Sequence, residues 1–147
     1  MLNSKGMTVI EIVVVIIIIA ILSSIGFEVF KNIEPSLELS GTARDLITDI
    51  RYIQELAVSE QIIHGICFFS SENKYQLKRY GTVEEILKEK FLPSGISFQA
   101  INGFSGDCLK FNPYGSVKEA GNIILVNTKN ETKNIEVKPS GFSKIVD

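Results

Sequence analysis

Few side chains in this 147-residue sequence are suited to catalysis or to metal binding. His64 is the only histidine, Cys67 and Cys108 are the only cysteines, and no serine or cysteine forms a nucleophile motif with His64. A closed four-ligand metal site needs more of these residues, and no glycine run has the spacing of a phosphate loop. We therefore expect no catalytic residues, no metal site and no cofactor, and we interpret His64 as structural.

The two cysteines are the next candidates, because they could form a disulfide. Cys67 and Cys108 both lie in segments with the pattern of β-strands. A bridge would close a loop of about 42 residues and contribute about 4 kcal/mol in the chain-entropy model. The alternative is a pair of reduced, buried cysteines on distant strands. The sequence leaves both open, because it does not give the distance between the two Cα atoms.

Glu11 is an acidic residue inside an apolar block. Residues 7–30 contain only one other charge, Glu28, and residues 12–22 are an unbroken run of eleven apolar residues. As a helix, this block would rise ~36 Å, enough to cross a hydrocarbon core of about 30 Å. An ionised carboxylate in such a core costs on the order of 2.5–3.5 kcal/mol. Glu11 should therefore have a partner.

Three interpretations fit this N-terminal segment. In a cleaved secretory signal peptide, the small residues Ser23, Ser24 and Gly26 would supply the cleavage site. A plain membrane anchor explains the length of the run, and Lys5 ahead of it predicts a cytoplasmic N-terminus with the rest of the chain exported. Neither explains why Glu11 lies inside the apolar block.

The third interpretation depends on residues 1–11, which read MLNSKGMTVIE. A short polar leader with Lys5 ends at Gly6, an apolar residue follows, and a glutamate occupies the fifth position after the glycine. This pattern resembles the class III signal of type IV pilins and pseudopilins. The resemblance implies that a membrane-embedded prepilin peptidase cuts between Gly6 and Met7 and N-methylates Met7. Phenylalanine is commoner in the family at this position, so Met7 is a mild departure.

For Glu11, the resemblance implies a role in filament assembly. Its carboxylate would pair with the Met7 ammonium of a neighbouring subunit. Desolvation of both charges offsets much of their attraction, so the pair would set axial register more than it would add stability. The alternative is that Glu11 extends to the lipid headgroups or is protonated in the bilayer.

The elements after the apolar run must form the exported part. Pro35 cannot donate a backbone hydrogen bond and is expected to kink or break the helix near residues 33–34. An amphipathic helix is predicted over residues 36–61. Polar residues are assigned to its exposed face: Arg44, Asp45, Asp49, Arg51 and Glu55. Apolar residues at spacings of three and four are assigned to its buried face: Leu39, Ala43, Leu46, Ile47, Ile50, Ile53 and Ala57.

Short runs rich in β-branched and aromatic residues follow, bounded by glycine, asparagine, serine and proline. Seven strands are predicted, over residues 62–69, 74–80, 95–101, 108–111, 122–127, 134–138 and 142–146. Residues 82–90 are predicted to form a short helix with Thr82 as its N-cap. The expected fold class is α+β, with one long N-terminal helix packed on an antiparallel β head. The expected parts are a leader (1–6), a membrane and assembly helix (7–34) and an exported head (35–147).

The order of these parts resembles the GspH and FimT subgroup of minor pseudopilins and minor pilins. The resemblance lies in the transition from helix to strand over residues 43–69, in LKFNPYG at 109–115 and in VKPSGFSKI at 137–145. It implies a structural subunit of a type IV pilus, a type II secretion system or a competence pseudopilus. The implied partners are the prepilin peptidase, other pilin subunits, an assembly platform and the membrane.

Two other functions stay open. Some FimT-like pilins take up DNA and carry a Gly-Arg-x-Arg pattern in the final hairpin, whereas residues 141–144 here read Gly-Phe-Ser-Lys. Acidic residues interrupt the nearest basic stripe, which comprises Lys129, Lys133, Lys138 and Lys144. With a formal net charge of −2 as well, we expect no nucleic-acid partner. The other alternative is a single-pass membrane protein with an extracellular β domain and no filament.

Overall fold

The computed structural model describes residues 8–146, and their side chains except those of residues 25–29. The chain divides after Glu34 into two compact units. Within the described residues, the helix and the strands in chain order are α1 (Val9–Glu60), β1 (Ile63–Phe69), β2 (Lys74–Tyr80), β3 (Glu84–Phe91), β4 (Ile96–Asn102), β5 (Cys108–Phe111), β6 (Gly121–Asn127), β7 (Thr132–Val137) and β8 (Ser143–Val146).

The helix α1 contains Pro35 as an internal residue, so of the two outcomes expected at this proline, a kink or a break, the break is wrong. A proline inside a helix removes one hydrogen bond, because its nitrogen carries no proton. The helix nevertheless continues through this position to Glu60. α1 ends at Glu60, and the next residue, Gln61, adopts a left-handed conformation with φ of 57°. A left-handed residue at this position is a common way to end a helix.

The amphipathic part of α1 is confirmed on its apolar face. All seven apolar positions assigned to that face are buried in the head: Leu39, Ala43, Leu46, Ile47, Ile50, Ile53 and Ala57. On the polar face the prediction is wrong at one residue. Asp49 is only 7% exposed, because it contacts polar side chains of the strands.

The head contains two four-stranded sheets, with orders β3-β2-β1-β5 and β4-β6-β7-β8. Every strand pair in both sheets is antiparallel. The α+β class and the helix packed on an antiparallel β head are therefore confirmed. Leu77, Leu109, Phe111, Ile123, Leu125 and Ile135 of the sheets are fully buried in the same core as the apolar face of α1.

The segment predicted as a short helix with Thr82 as its cap is instead strand β3. Glutamate, lysine and leucine favour helix locally, but β3 pairs with β2 along its length, from Lys74 with Phe91 to Tyr80 with Glu84. Side-chain ion pairs accompany this pairing, including Lys78 with Glu84 at 2.7 Å. Cross-strand pairing of this kind overrides a weak local propensity.

Candidate functional site

The expected cleavage site, Gly6 and Met7, lies outside the described residues. Glu11 is described, and it lies in the first turn of α1. Its Oε2 atom accepts hydrogen bonds from the Thr8 backbone N–H at 2.7 Å and from the Thr8 hydroxyl at 2.9 Å. In return, the Glu11 N–H donates to Thr8 Oγ1 at 3.4 Å. This reciprocal arrangement is a capping box, which satisfies backbone donors at the start of a helix.

The apolar run after Glu11 is exposed in the isolated chain. Its large side chains, from Ile12 to Leu22, are between 44% and 65% exposed. A contiguous apolar surface of this extent is typical of a region that contacts lipid or other protein. No helix among the described residues is both long enough and apolar enough to span a bilayer.

Cys67 and Cys108 form a disulfide in the structure. They are directly opposite each other on the paired strands β1 and β5, and their Cα atoms are 4.1 Å apart. The Tyr80 hydroxyl lies 3.2 Å from Cys67 Sγ. The bridge therefore joins an inner strand of its sheet to the edge strand β5.

His64 has a structural environment at the start of β1, just after α1 ends. It is fully buried, with Nδ1 3.0 Å from the Ile62 carbonyl oxygen and Nε2 3.3 Å from Glu60 Oε2. The same Glu60 oxygen lies 3.0 Å from Arg79 Nε. These contacts join the end of α1 to β1 and β2, which fits the structural interpretation of His64.

A buried polar cluster joins α1 to the sheet that contains β2 and β3. Asp49 Oδ2 accepts a hydrogen bond from the Tyr75 hydroxyl at 2.6 Å and lies 2.6 Å from Lys90 Nζ. Burial, followed by the hydrogen bond to Asp49, raises the pKa of Tyr75. The hydroxyl therefore stays protonated and remains a donor throughout the physiological range. The cluster gives a physical reason why Asp49 faces the strands.

A second polar cluster joins α1 to the turn between β6 and β7. Glu131 Oε2 accepts hydrogen bonds from the Ser36 hydroxyl and from Asn127 Nδ2, both at 2.6 Å. Asn127 Oδ1 in turn accepts from the backbone N–H of Glu131 at 2.9 Å. The bonds from Ser36 and then Asn127 lower the pKa of Glu131.

The two late segments that carried the subgroup resemblance meet at α1. Gln54 Nε2 donates to the Gly115 carbonyl oxygen at 2.7 Å, and a Cβ at Gly141 would clash with that oxygen and with Gln54. Both glycines have positive φ, 79° and 85°, which favours glycine on conformational grounds as well. Tyr114 and Phe142, beside these glycines, are 88% and 53% exposed.

The basic stripe considered for DNA is partly neutralised. Lys144 Nζ lies 3.2 Å from Glu136 Oε2, and Lys129 and Lys133 have interactions of their own. Among the side chains that the structure describes, no three histidine, cysteine or acidic residues form a group that could hold a metal ion.

Sequence reasoning missed Thr8 and Gln54. The signal for Thr8 was available, since threonine three residues before glutamate at a helix start is the pattern of a capping box. Gln54 carried no such signal, because its amide bonds a carbonyl that is distant in the sequence. The burial of Asp49 was missed for the same reason.

Comparison with known proteins agrees with this architecture. Residues 42–141 match the family model of GspH, a type II transport protein, whereas no curated protein sequence matches the chain. Among solved structures, the minor pseudopilin EpsH from the type 2 secretion system of Vibrio cholerae is similar, with a TM-score of 0.63 and 10% identity. That match covers 74% of this chain and 96% of EpsH. The type IV minor pilin FimU of Pseudomonas aeruginosa PAO1 is also similar, with a TM-score of 0.61 and 13% identity over 76% of this chain and 90% of FimU.

Proposed function

The chain belongs to the GspH family of type II transport proteins, which are pilin-like structural subunits, and on this premise we propose that it is a processed minor subunit of a filament. In this proposal, prepilin peptidase removes residues 1–6, residues 7–34 form the membrane and assembly helix, and residues 35–147 are the exported head. Other pilin-like subunits and an assembly platform are its partners. The filament belongs to a type II secretion system or a type IV pilus.

The observation that carries the proposal is Glu11, which forms a capping box with Thr8 at the start of an exposed apolar helix. The capping box with Thr8 explains why the helix starts here. It does not explain why eleven consecutive apolar residues follow Glu11. Exposed side chains from Ile12 to Leu22 are unfavourable in water. Lipid covers them before assembly, and the helices of neighbouring subunits cover them in the filament.

Glu11 is then available to a neighbour. Both hydrogen bonds from Thr8 end on Oε2, so an ammonium can approach Oε1 without displacing the cap. Removal of residues 1–6 creates such an ammonium at Met7. A pair between Glu11 of one subunit and Met7 of the next fixes the axial position of the subunits, because neither charge is favourable alone in an apolar surrounding.

Intact-mass measurement of the membrane-extracted protein tests the proposal. In cells that contain prepilin peptidase, the mass should correspond to the loss of residues 1–6 and the addition of one methyl group. Gly6→Val should leave an uncut precursor, because a β-branched side chain removes the close backbone approach that glycine allows. A retained leader in the unchanged protein, or a cut near Ser24, would contradict the proposal.

A further inference from the structure

A basic groove lies between α1 and the edge strand β8. Its volume is about 340 Å³, and it is lined by Arg44, Ile47, Thr48, Arg51, Lys144 and Ile145. Within the described residues, no acidic side chain lines it. Glu136 Oε2 lies 3.2 Å from Lys144 Nζ, and Glu55 follows Arg51 by one helical turn. Because its own lining contains three cations and no acid, the groove favours an anionic partner.

The solvent-exposed face of α1 also has an acidic edge, on the side away from the groove. Glu38 and Asp45 are exposed, and at 3.6 residues per turn Asp45 projects about 100° around the helix axis from Arg44. The face thus has a basic edge with Arg44 and Arg51, at whose C-terminal end Glu55 also lies, and an acidic edge with Glu38 and Asp45. Two copies lying side by side can place one edge against the other.

The spacing along the helix is the same on both edges. Arg44 and Arg51 are seven residues apart, as are Glu38 and Asp45, which corresponds to about 10.5 Å of helix rise. In two parallel helices offset by six residues, or about 9 Å, Arg44 lies opposite Glu38 and Arg51 lies opposite Asp45. Both ion pairs can therefore form at once.

Taking from the proposed function that subunits stand parallel, we propose that the groove between α1 and β8 binds the acidic edge of a second copy of this chain. Arg51 and Lys144 hold the carboxylate of Asp45 from the second copy, and Ile47 and Ile145 provide an apolar floor. The contact is heterologous, because the two copies use different edges. Repetition of such a contact produces an open helical assembly rather than a closed dimer.

Nucleic acid is a less suitable occupant. Phosphate binding would also be favoured by three cations, but the acidic edge on the same helix face and the net charge of −2 would repel an extended polyanion. By contrast, the acidic edge of a second helix contacts only the basic residues of the groove.

Co-purification of two differently tagged full-length copies from detergent-solubilised membranes tests the proposal. Arg51→Glu in both copies should lower capture about fivefold, the effect expected when the exposed ion pair with Asp45 is replaced by repulsion, and raised salt should lower capture of the unchanged protein similarly. Adding Asp45→Lys to Arg51→Glu in both copies should restore capture, because the two charges of the pair are then exchanged. Arg51→Lys should retain capture, and Lys88→Glu on β3, which makes the same charge change outside the groove, should leave it unaltered.

Three results would overturn the proposal: an equal loss from Lys88→Glu, no recovery when Asp45→Lys is added to Arg51→Glu in both copies, or equal recovery when Glu38→Lys is added instead. Loss of duplex DNA binding on Arg51→Glu, with capture of the second copy unchanged, would assign the groove to phosphate and also overturn it. The mass of the same samples separates this test from that of the proposed function. If the protein is cleaved and methylated but its capture does not depend on these charges, only the proposed groove contact is overturned. If the protein is uncleaved, the proposal that it is a processed subunit is overturned.

Discussion

The hydroxyl of Tyr75 donates a hydrogen bond of 2.6 Å to Asp49 Oδ2, and this bond is buried between α1 and β2. The same oxygen lies 2.6 Å from Lys90 Nζ on β3. A buried acidic group that binds two strands at once constrains how the helix lies on the sheet, because a shift of the helix would separate Asp49 from the Tyr75 hydroxyl and from Lys90.

Asp49→Ala should lower the free energy of unfolding by about 2–3 kcal/mol, because the buried Tyr75 hydroxyl would lose its acceptor. Asp49→Asn retains an acceptor and should cost less, about 1 kcal/mol. Urea denaturation of the full-length protein in detergent, followed by circular dichroism, measures both. Asp45→Ala on the exposed face of the same helix is the control and should stay within about 0.5 kcal/mol of the unchanged protein. Equal losses at Asp45 and Asp49 would contradict this account.

Glu11→Ala should abolish regular incorporation into filaments while leaving membrane insertion and leader cleavage intact. The substitution removes a charge from an apolar helix, which eases insertion, but it leaves the Met7 ammonium of a neighbour without a counter-charge. Glu11→Gln should behave in the same way. Cross-linking to partner subunits in the membrane is the measurement, and equal cross-linking in all three proteins would favour a plain anchor.

Thr8→Val separates the counter-charge role of Glu11 from its capping role. The variant removes the hydroxyl that caps the helix but keeps the carboxylate, at an expected cost of about 1 kcal/mol of local helix stability. Cross-linking should be largely retained, and fully retained in Thr8→Ser. If Thr8→Val fails as completely as Glu11→Ala, the capping geometry rather than the charge is the essential feature.

Replacement of both Cys67 and Cys108 by serine should lower the free energy of unfolding by about 2–4 kcal/mol, since the unfolded chain would no longer be constrained by a closed loop. Denaturation with and without reductant measures the loss, and reductant should not affect the double variant. In the unchanged protein purified from membranes, alkylation under denaturing conditions should label no thiol. Labelling of both cysteines would mean that the bridge does not form in the cell.

The link between Ser36 and Glu131 should make the head sensitive to acid. The pKa of Glu131 is lowered in the folded state, so its contribution to stability is present above the unfolded value, near 4.3. That contribution is lost as the pH falls through the lower folded pKa. Glu131→Gln should therefore lose less stability between pH 6 and pH 3 than the unchanged protein does, and Ser36→Ala should be intermediate. Parallel pH profiles for all three, measured by urea denaturation, would contradict this assignment.

Local patterns predicted most of the fold. The apolar spacing from Leu39 to Ala57 identified the buried face of α1, and seven of the eight strands in the described residues lie where β-branched runs were seen. The eighth, β3, was predicted as a helix, because its glutamates and lysines favour helix locally while its strand pairing depends on β2. Pro35 was given too much weight, since the loss of one hydrogen bond does not end a helix of this length.

The candidate site was less accessible to sequence reasoning. Glu11 was identified from its spacing after Gly6, yet its partner Thr8 was overlooked. The contacts of Asp49, Gln54 and Ser36 join α1 to residues far away in the sequence. Such contacts depend on the register of the sheets and on how the helix lies against them, and neither is encoded in a local pattern.

The disulfide between β1 and β5 has a mechanical consequence. β5 is a four-residue strand at the edge of its sheet, and an edge strand held by a few hydrogen bonds is the first to peel away under tension. The loop that follows β5 leads to Gly115, which is bonded to Gln54 of α1. If a tensile force on α1 reaches this loop, the disulfide transmits it to the inner strand β1. The head should therefore withstand forces that would detach an edge strand without a disulfide.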